Sequence, residues 1–141
     1  MAFAGVNYFG IVIAAVAGWL VGAVWYSALA RPWLIALGKT RTELLTPSGK
    51  PSVVPFVVSF LAALLMAWVL AGIIGHLGPG QVTVVNGVTS GFFIWLGFVI
   101  TTQAVNYSFA RQRAMLTVID GGHWLAVLVI QGAIIGAFAP S

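Results

Sequence analysis

Residues 115–138 read MLTVIDGGHWLAVLVIQGAIIGAF, an apolar run in which Asp120 is the one formally charged side chain. A helix that crosses a bilayer needs about 20 mostly apolar residues, and this run supplies them. The other way to cross lipid is a closed barrel of strands, in which apolar and polar residues alternate. The run has no such alternation, so it predicts a membrane-spanning helix.

Three more stretches of the chain have the same character. Together the four runs predict span 1 at residues 6–29, span 2 at 53–75, span 3 at 84–107 and span 4 at 115–138. The predicted fold is therefore an all-α membrane protein, a four-transmembrane-helix bundle that forms a single transmembrane domain over residues 1–141.

The composition of the chain favours the same fold class. Its 141 residues are 61% hydrophobic and 6% charged, whereas charged residues make up about 25% of an ordinary soluble domain. So few charges cannot cover a water-facing surface, and the lipid bilayer is the first partner that we expect. The chain has no cysteine, which excludes disulfide bonds, thiolate metal sites and a cysteine nucleophile.

The basic residues occupy two loops, one after span 1 and one after span 3. Loop 30–52 contains Arg31, Lys39, Arg41 and Lys50, and loop 108–114 contains Arg111 and Arg113. Loops rich in lysine and arginine stay on the cytoplasmic side. This distribution predicts a multi-pass protein of the bacterial inner (cytoplasmic) membrane, with both loops cytoplasmic and both termini outside. It also accounts for the net charge of +4 without a nucleic-acid partner.

The end of the first apolar run allows two interpretations. Ala28-Leu29-Ala30 resembles a signal-peptide cleavage site, but residues 1–8 contain no basic side chain and the run is longer than a typical signal core. We therefore favour a retained span. Arg31-Pro32 is expected to end or redirect its helix, because proline lacks the backbone donor. Residues 33–37 are expected to form a short amphipathic turn at the membrane surface.

The two halves of the chain contain similar segments at equivalent places. Span 1 ends in YSALAR (26–31) and span 3 in YSFAR (107–111), while span 2 ends in AGIIG (71–75) and span 4 in GAIIG (132–136). Two spans return the chain to its starting side, so these segments predict a duplicated two-helix hairpin with parallel halves, as in some transporters. The alternative is chance similarity, because the spans are built from only a few types of apolar residue.

Small residues recur at every fourth position in three of the spans. Because lipid is as apolar as the helices, the hydrophobic effect does not drive helix association in a membrane. Helices associate instead where small residues let their backbones approach. We expect these positions to seat a neighbouring helix of the same chain, or alternatively to form an oligomer face. The predicted helix-packing residues are Gly18, Gly22, Ala63, Ala67, Ala71, Gly132 and Gly136.

Polar side chains concentrate toward the cytoplasmic ends of the spans. An ionisable residue inside a membrane is costly and is a functional candidate. Asp120 and His123 are the two that qualify, and they lie one helical turn apart. The predicted polar cluster consists of Tyr26, Ser27, Gln103, Asn106, Tyr107, Asp120 and His123.

This polar cluster allows a functional and a structural interpretation. In the functional one, Asp120 supplies a charge and His123 supplies a group that titrates near neutral pH, as a proton-linked or ligand-binding site requires. In the structural one, Asp120 is stabilised by the helix dipole or by a loop arginine, and the amides join neighbouring helices by hydrogen bonds. We favour the structural interpretation.

The sequence contains no motif that indicates catalysis. It has no paired carboxylates, no Ser-His-Asp order and no metal-ligand spacing, and Gly121-Gly122 is too short to form a phosphate-binding loop. We therefore predict no enzyme activity, no catalytic residue, no metal and no cofactor. Trp19, Trp68 and Trp95 lie deep enough to touch a pigment, quinone or lipid tail, but aromatic side chains fill interiors routinely. Core or lipid contact is the favoured interpretation for them.

Three segments in the order of the chain resemble a known family. They are GAVWYS (22–27), WLGF (95–98) with Asn106-Tyr107, and IDGGHW (119–124) followed by GAIIG (132–136). This combination resembles the small bacterial membrane proteins of the domain-of-unknown-function family seventeen-sixty-one. The resemblance extends over nearly the whole chain, and it implies four membrane helices and no established activity. In that family asparagine or aspartate stands at the position of Asp120, which argues against an essential charge there.

Small size, grooves of small residues and the lack of catalytic groups favour a non-enzymatic integral membrane protein that acts through assembly. It would be a homo-oligomer or an accessory subunit of a larger inner-membrane complex, so its expected partners are itself or other membrane-protein subunits. The alternative is a small-solute or proton-linked transporter or channel that uses the polar cluster around Asp120 and His123. A membrane enzyme that acts on lipid ranks last.

Overall fold

The chain folds into long apolar helices joined by a short connecting helix and loops. The computed structural model describes residues 6–139, and over that range its regular structure is helical throughout. Span 1 is Tyr8–Ala28, span 2 is Val54–Gly75, span 3 is Val84–Phe109 and span 4 is Ala114–Ala137, each long and apolar enough to cross a membrane. The predicted bundle of four long apolar helices is confirmed, and each helix begins and ends within two residues of its predicted span. The extreme ends of the chain (1–5 and 140–141) lie outside the described residues, so the side on which the termini lie stays a prediction.

Leu29 separates span 1 from the connecting helix, Ala30–Leu37. Its backbone angles of φ −106° and ψ 20° leave the helical region. Pro32 lies in the first turn of the connecting helix, where no intrahelical partner is lost with the missing N–H. Gly38 ends that helix with a φ of 73°, a left-handed conformation that glycine adopts without strain. The break expected at Arg31-Pro32 lies at Leu29, and the segment expected to be a turn is part of a helix of eight residues that includes Pro32.

Span 4 is the central helix of the bundle. In span 4, 50% of the most apolar stretch of 18 residues is buried inside the protein. The corresponding share is 28% for span 1, 33% for span 2 and 11% for span 3. Spans 1, 2 and 3 all pack against span 4, span 1 also packs against span 2, and span 3 contacts chiefly span 4. The main core combines small and branched side chains of spans 1, 2 and 4: Ile11, Ala14, Ala15, Ala67, Leu70, Ala71, Ile74, Leu128 and Ile135.

Spans 3 and 4 approach each other backbone to backbone at glycine residues. A Cβ atom on Gly87 would overlap the carbonyl of Gly132, and a Cβ on Gly132 would overlap the carbonyl of Gly87. Gly91 and Gly136 are packed against backbone atoms of the facing helix in the same way. Such an approach supplies the van der Waals contact on which helix association in lipid depends. The predicted packing set omitted Gly87 and Gly91, although their Gly-x-x-x-Gly spacing is the sequence signal for this contact.

The other predicted packing residues lie inside the bundle. The alanines of span 2 are each at most 3% exposed: Ala63, Ala67 and Ala71. On span 1, a Cβ on Gly18 would lie 2.9 Å from Nε2 of Gln131, and a Cβ on Gly22 would lie 3.0 Å from Nε2 of His123. These positions therefore contact neighbouring helices of the same chain.

Span 3 contains one π-helical turn, Trp95–Val99. The amide of Ile100 donates to the carbonyl of Trp95, five residues earlier, where an α-helix would use a carbonyl four residues earlier. The hydroxyls of Thr101 and Thr102 donate to carbonyls inside the turn at 2.9 and 2.7 Å. Hydroxyl groups often satisfy the backbone in this way where a membrane helix is irregular. The turn therefore sets the rotation of the second half of span 3 about its axis without leaving these carbonyls unpaired.

The contact between spans 3 and 4 predicts opposite effects for two glycine-to-alanine changes in one helix. Gly87→Ala should lower the midpoint of thermal unfolding in detergent, because overpacking a tight contact costs about 1–3 kcal/mol. Gly97→Ala should leave the midpoint unchanged or raise it. No atom lies within 4 Å of a Cβ placed on Gly97, and alanine is favoured over glycine in a helix by about 1 kcal/mol. Fluorescence-detected size-exclusion chromatography after heating measures both, and equal effects would contradict the assigned contact.

Candidate functional site

The Asp120 carboxylate on span 4 accepts one tyrosine hydroxyl on each oxygen. The side chain is buried, with 8% of its surface exposed. Tyr26, at the end of span 1, donates to Oδ1 at 2.6 Å. Tyr107, near the end of span 3, donates to Oδ2 at 2.7 Å. Three of the four spans therefore meet at one carboxylate, and we call this arrangement the tyrosine clamp.

The hydrogen-bonding pattern of the tyrosine clamp suits an ionised acid, because both oxygens of Asp120 act as acceptors. Hydrogen bonds from a hydroxyl to a carboxylate at 2.5–2.7 Å are short and charge-assisted. No arginine or lysine in the described residues forms an ion pair with Asp120. Arg113, the nearest basic residue in sequence, donates to the backbone oxygen of Ile35 at 2.9 Å. The suggestion that a loop arginine pairs with Asp120 is therefore wrong for residues 6–139.

The two tyrosines of the clamp occupy equivalent positions in the predicted repeat. Tyr26 opens the YSALAR segment and Tyr107 opens the YSFAR segment. Both reach the same carboxylate, one from each hairpin. This shared role favours a duplicated hairpin over chance similarity, and the duplication itself stays a prediction.

Two tryptophans brace the segment of span 4 that carries Asp120. The indole N–H of Trp25 donates to the carbonyl of Ile119 at 3.0 Å, and that of Trp95 donates to the carbonyl of Gly121 at 2.7 Å. A Cβ on Gly122 would lie 2.9 Å from the ring of Trp25, and a Cβ on Gly121 would overlap a side chain of span 3. The adjacent glycines thus provide room for close approach. The predicted cluster omitted both tryptophans, although Trp25 directly precedes Tyr26 in the sequence.

His123 is buried one turn after Asp120, and within residues 6–139 it forms no side-chain hydrogen bond. Its side chain is 7% exposed, and its Nδ1 has no partner among the described residues. The imidazole packs against the ring of Tyr26 with centroids 5.0 Å apart. His123 and Asp120 are therefore close without being joined by a hydrogen bond, and they do not form a linked acid–base pair.

The remaining members of the predicted polar cluster divide into two groups. Gln103 is half-buried on span 3, and its Oε1 is buried without a partner in the described part of the chain. Ser27 and Asn106 are exposed. The structure thus brings together Tyr26, Tyr107, Asp120 and His123 and places Gln103 beside Gly121 of the same segment. Ser27 and Asn106 are not part of this group, although Ser27 lines the cavity described below.

A second buried polar contact joins span 4 to span 2. Gln131 is fully buried, and its Nε2 donates to the backbone carbonyl of Ala63 at 3.0 Å. Amide side chains commonly join membrane helices in this way. This contact lies about two helical turns deeper in the bundle than His123.

An apolar cavity lies beside the tyrosine clamp, between spans 1, 2 and 4. Its volume is about 510 Å³, within the range of roughly 300–1,000 Å³ that is usual for small-molecule sites. It is lined by Gly18, Trp19, Gly22, Ala23, Tyr26, Ser27, Pro55, Phe56, Ser59, Ala63, His123, Trp124 and Val127. The indole N–H of Trp19 bonds to the Phe56 carbonyl at 3.2 Å and to the Ser59 hydroxyl at 3.1 Å. His123 is thus a buried polar side chain of the wall whose hydrogen-bonding groups are unused.

These buried polar groups can join helices and can meet a ligand in the cavity, but they do not provide a metal site. Within residues 6–139 no three His, Cys, Asp or Glu side chains lie close enough to hold a metal ion. Both oxygens of Asp120 are already engaged by hydroxyl donors. The chemistry available to an incoming molecule therefore includes apolar contact with the cavity wall and a hydrogen bond from the imidazole.

The tyrosine clamp predicts unequal effects for two substitutions of its carboxylate. Asp120→Asn keeps one acceptor oxygen and gains an amide donor for the second phenol oxygen, whereas Asp120→Leu leaves both hydroxyls unpaired. Since a hydrogen bond to a charged group contributes about 1.5–3 kcal/mol, Asp120→Leu should lower the unfolding midpoint much more than Asp120→Asn. Tyr26→Phe and Tyr107→Phe should each lower it, while Tyr8→Phe, at a tyrosine that is 63% exposed, should not. A wild-type midpoint for Asp120→Leu would refute the clamp.

One family model matches the chain, over residues 9–136, and its description is "Protein of unknown function (DUF1761)". The matched range contains the tyrosine clamp and the residues that line the cavity. No curated protein and no solved structure matches the chain. The resemblance drawn from the three sequence segments is confirmed by this match. The chain, an all-helical protein with four candidate membrane spans, belongs to the DUF1761 family.

Proposed function

We propose that the chain is a non-enzymatic integral membrane protein that acts through assembly, and that the second half of span 3 supplies its contact surface. Span 3 is the least buried span, with 11% of its most apolar window inside the protein. This low burial is the observation that carries the proposal. A span that contacts its own bundle on one side only has the rest of its surface available to a neighbouring membrane helix.

The exposed face of this half-span has the spacing of a helix-pairing seam. Among its exposed residues, Phe98, Thr102, Val105 and Phe109 follow this spacing, and the exposed Asn106 lies beside them. Steps of four, three and four residues follow the 3.5-residue repeat by which paired helices keep one seam in contact. We call these five residues the span 3 seam.

Asn106 gives the span 3 seam a polar group that a partner can use. Its amide is exposed on a membrane helix, and it forms no hydrogen bond within the described residues. An amide both donates and accepts, so two copies of Asn106 complement each other across a twofold axis, the commonest symmetry of homo-oligomers. We therefore take the homo-oligomer as the leading form and the accessory subunit of a larger inner-membrane complex as the second.

The tyrosine clamp supports assembly over a proton-linked or small-solute carrier. A carrier needs Asp120 to exchange its partners during each cycle, and both of its oxygens are held at 2.6 and 2.7 Å by hydroxyls from two different spans. Breaking those bonds also removes the polar contacts that join spans 1 and 3 to span 4 at this level. A structural role for the carboxylate explains this arrangement without a transported ion.

The span 3 seam predicts an oligomer that two substitutions weaken. Native mass spectrometry of the protein extracted from its own membranes in mild detergent should detect a homo-oligomer. Asn106→Leu should raise its dissociation constant by about 5- to 30-fold, since an interhelical hydrogen bond contributes about 1–2 kcal/mol. Phe98→Ala should also raise it, because a large contact is lost. The matched control is Phe93→Ala, at a residue of the same span that is 61% exposed but outside the seam.

Each result of this experiment has a definite meaning. Foreign subunits at a fixed stoichiometry, released by Asn106→Leu, would favour the accessory-subunit form of the proposal. A lone monomer in the wild type, or an oligomer that responds equally to Phe98→Ala and Phe93→Ala, would contradict assembly through the span 3 seam.

The distribution of basic residues supports an orientation in the inner membrane with both termini outside. Because the chain has no cysteine, single cysteines introduced at exposed loop positions report this orientation directly. A membrane-impermeant maleimide added to intact cells with a permeabilised outer membrane should label Gln81→Cys, in the loop between spans 2 and 3. It should label Ser48→Cys, in loop 30–52, only after the inner membrane is disrupted. The reverse pattern would show that the orientation is inverted.

A further inference from the structure

We infer that the cavity between spans 1, 2 and 4 binds a lipid-soluble molecule with a long apolar chain and a carbonyl-bearing head, whose oxygen accepts a hydrogen bond from His123. This inference is independent of the span 3 seam, which lies on a span that does not line the cavity. Assembly through the span 3 seam does not involve the cavity, so ligand binding is a separate function of this part of the bundle.

The wall of the cavity favours an apolar chain. Most of its lining residues are glycine, alanine, aromatic or branched apolar residues. The indole N–H of Trp19 is engaged by span 2 at 3.1 and 3.2 Å, and the hydroxyl of Tyr26 is engaged by Asp120 at 2.6 Å. A strongly polar or charged molecule would therefore find few free hydrogen-bonding groups in the wall, whereas an apolar chain would contact apolar side chains.

The shape of the cavity also suits a chain. On span 1 its lining runs from Gly18 to Ser27, a distance of about 14 Å along the helix axis at 1.5 Å per residue. The lining on span 2 runs from Pro55 to Ala63, so the cavity extends from the end that carries loop 30–52 toward the middle of the bundle.

His123 provides a buried hydrogen-bonding contact for the head of the ligand. The imidazole is 7% exposed, and its Nδ1 is buried without a partner in the described residues. Its Nε2 lies on the edge of the ring next to Gly22, and both residues line the cavity. With Nδ1 enclosed by protein, Nε2 is the nitrogen that a ligand can reach. A neutral imidazole that carries its proton on Nε2 donates to an acceptor, and a carbonyl oxygen is an acceptor that an otherwise apolar molecule can carry.

Two carbonyl-bearing amphiphiles and one plain hydrocarbon test this inference on the purified full-length protein. The probes are decylubiquinone, monoolein and decane, and the readouts are the shift in unfolding midpoint and the bound mass in native mass spectrometry. At least one of the two carbonyl-bearing probes should bind the wild type and raise its midpoint more than decane does. Binding of decylubiquinone alone would identify a quinone-like ligand, and binding of monoolein would identify an acyl lipid.

Substitutions in the cavity separate specific binding from partition into detergent. Ala23→Phe places a large side chain at an exposed lining position and should abolish the shift. The matched control is Val24→Phe at the next residue, which is 69% exposed and does not line the cavity, and it should bind as the wild type does.

His123→Leu tests the hydrogen bond itself. It should weaken binding of the carbonyl-bearing probe by about tenfold, as expected for the loss of one hydrogen bond. Binding of decane should not be weakened. It should not lower the midpoint of the unliganded protein, because it removes an unpaired buried polar group. The inference is overturned if neither carbonyl-bearing probe binds, or if His123→Leu and Ala23→Phe bind as tightly as the wild type.

Discussion

A carboxylate buried among apolar helices must find its hydrogen-bond donors inside the protein, and the bundle is organised around this requirement at Asp120. The two donors come from the ends of spans 1 and 3, so the carboxylate is satisfied only when both spans are docked on span 4. Polar contacts of this kind are costly to leave unmade in a low-dielectric interior. The tyrosine clamp therefore selects one arrangement of these spans, where apolar packing alone would accept several.

Close backbone approach makes the tyrosine clamp possible. Glycine contacts bring span 3 against span 4 at Gly87 and Gly132, and the π-helical turn then rotates the second half of span 3 before Tyr107. Gly122 admits the ring of Trp25 to the backbone of span 4, and Gly121 admits the side chain of Ile100 on span 3, next to the carbonyls that accept from Trp25 and Trp95. Gly18 and Gly22 likewise let Gln131 and His123 of span 4 approach the backbone of span 1. The clamp and the cavity lie side by side because Tyr26 belongs to both.

The sequence predicted the spans well because apolar run length is a local property, and bilayer thickness imposes it on every spanning helix. It also selected Tyr26, Tyr107, Asp120 and His123 as one cluster, since polar residues are rare in such runs. It did not predict that hydroxyls, and no arginine, would satisfy Asp120, because that depends on how three spans rotate. The π-helical turn at Trp95 leaves no periodic signature in an apolar run. The cavity was equally unpredictable, since it arises from three spans that are distant in the sequence.

The central claim is that two tyrosines hold one carboxylate, and the composition of the chain makes this directly measurable. Asp120 is the only aspartate, and the tyrosines number three, so selective ¹³C labelling of aspartate Cγ and tyrosine Cζ gives solid-state NMR spectra in lipid with few signals. The account predicts short-range contacts from the single aspartate to two tyrosines, which Tyr26→Phe and Tyr107→Phe remove one at a time. Contact with an arginine guanidinium, or with no tyrosine, would contradict it.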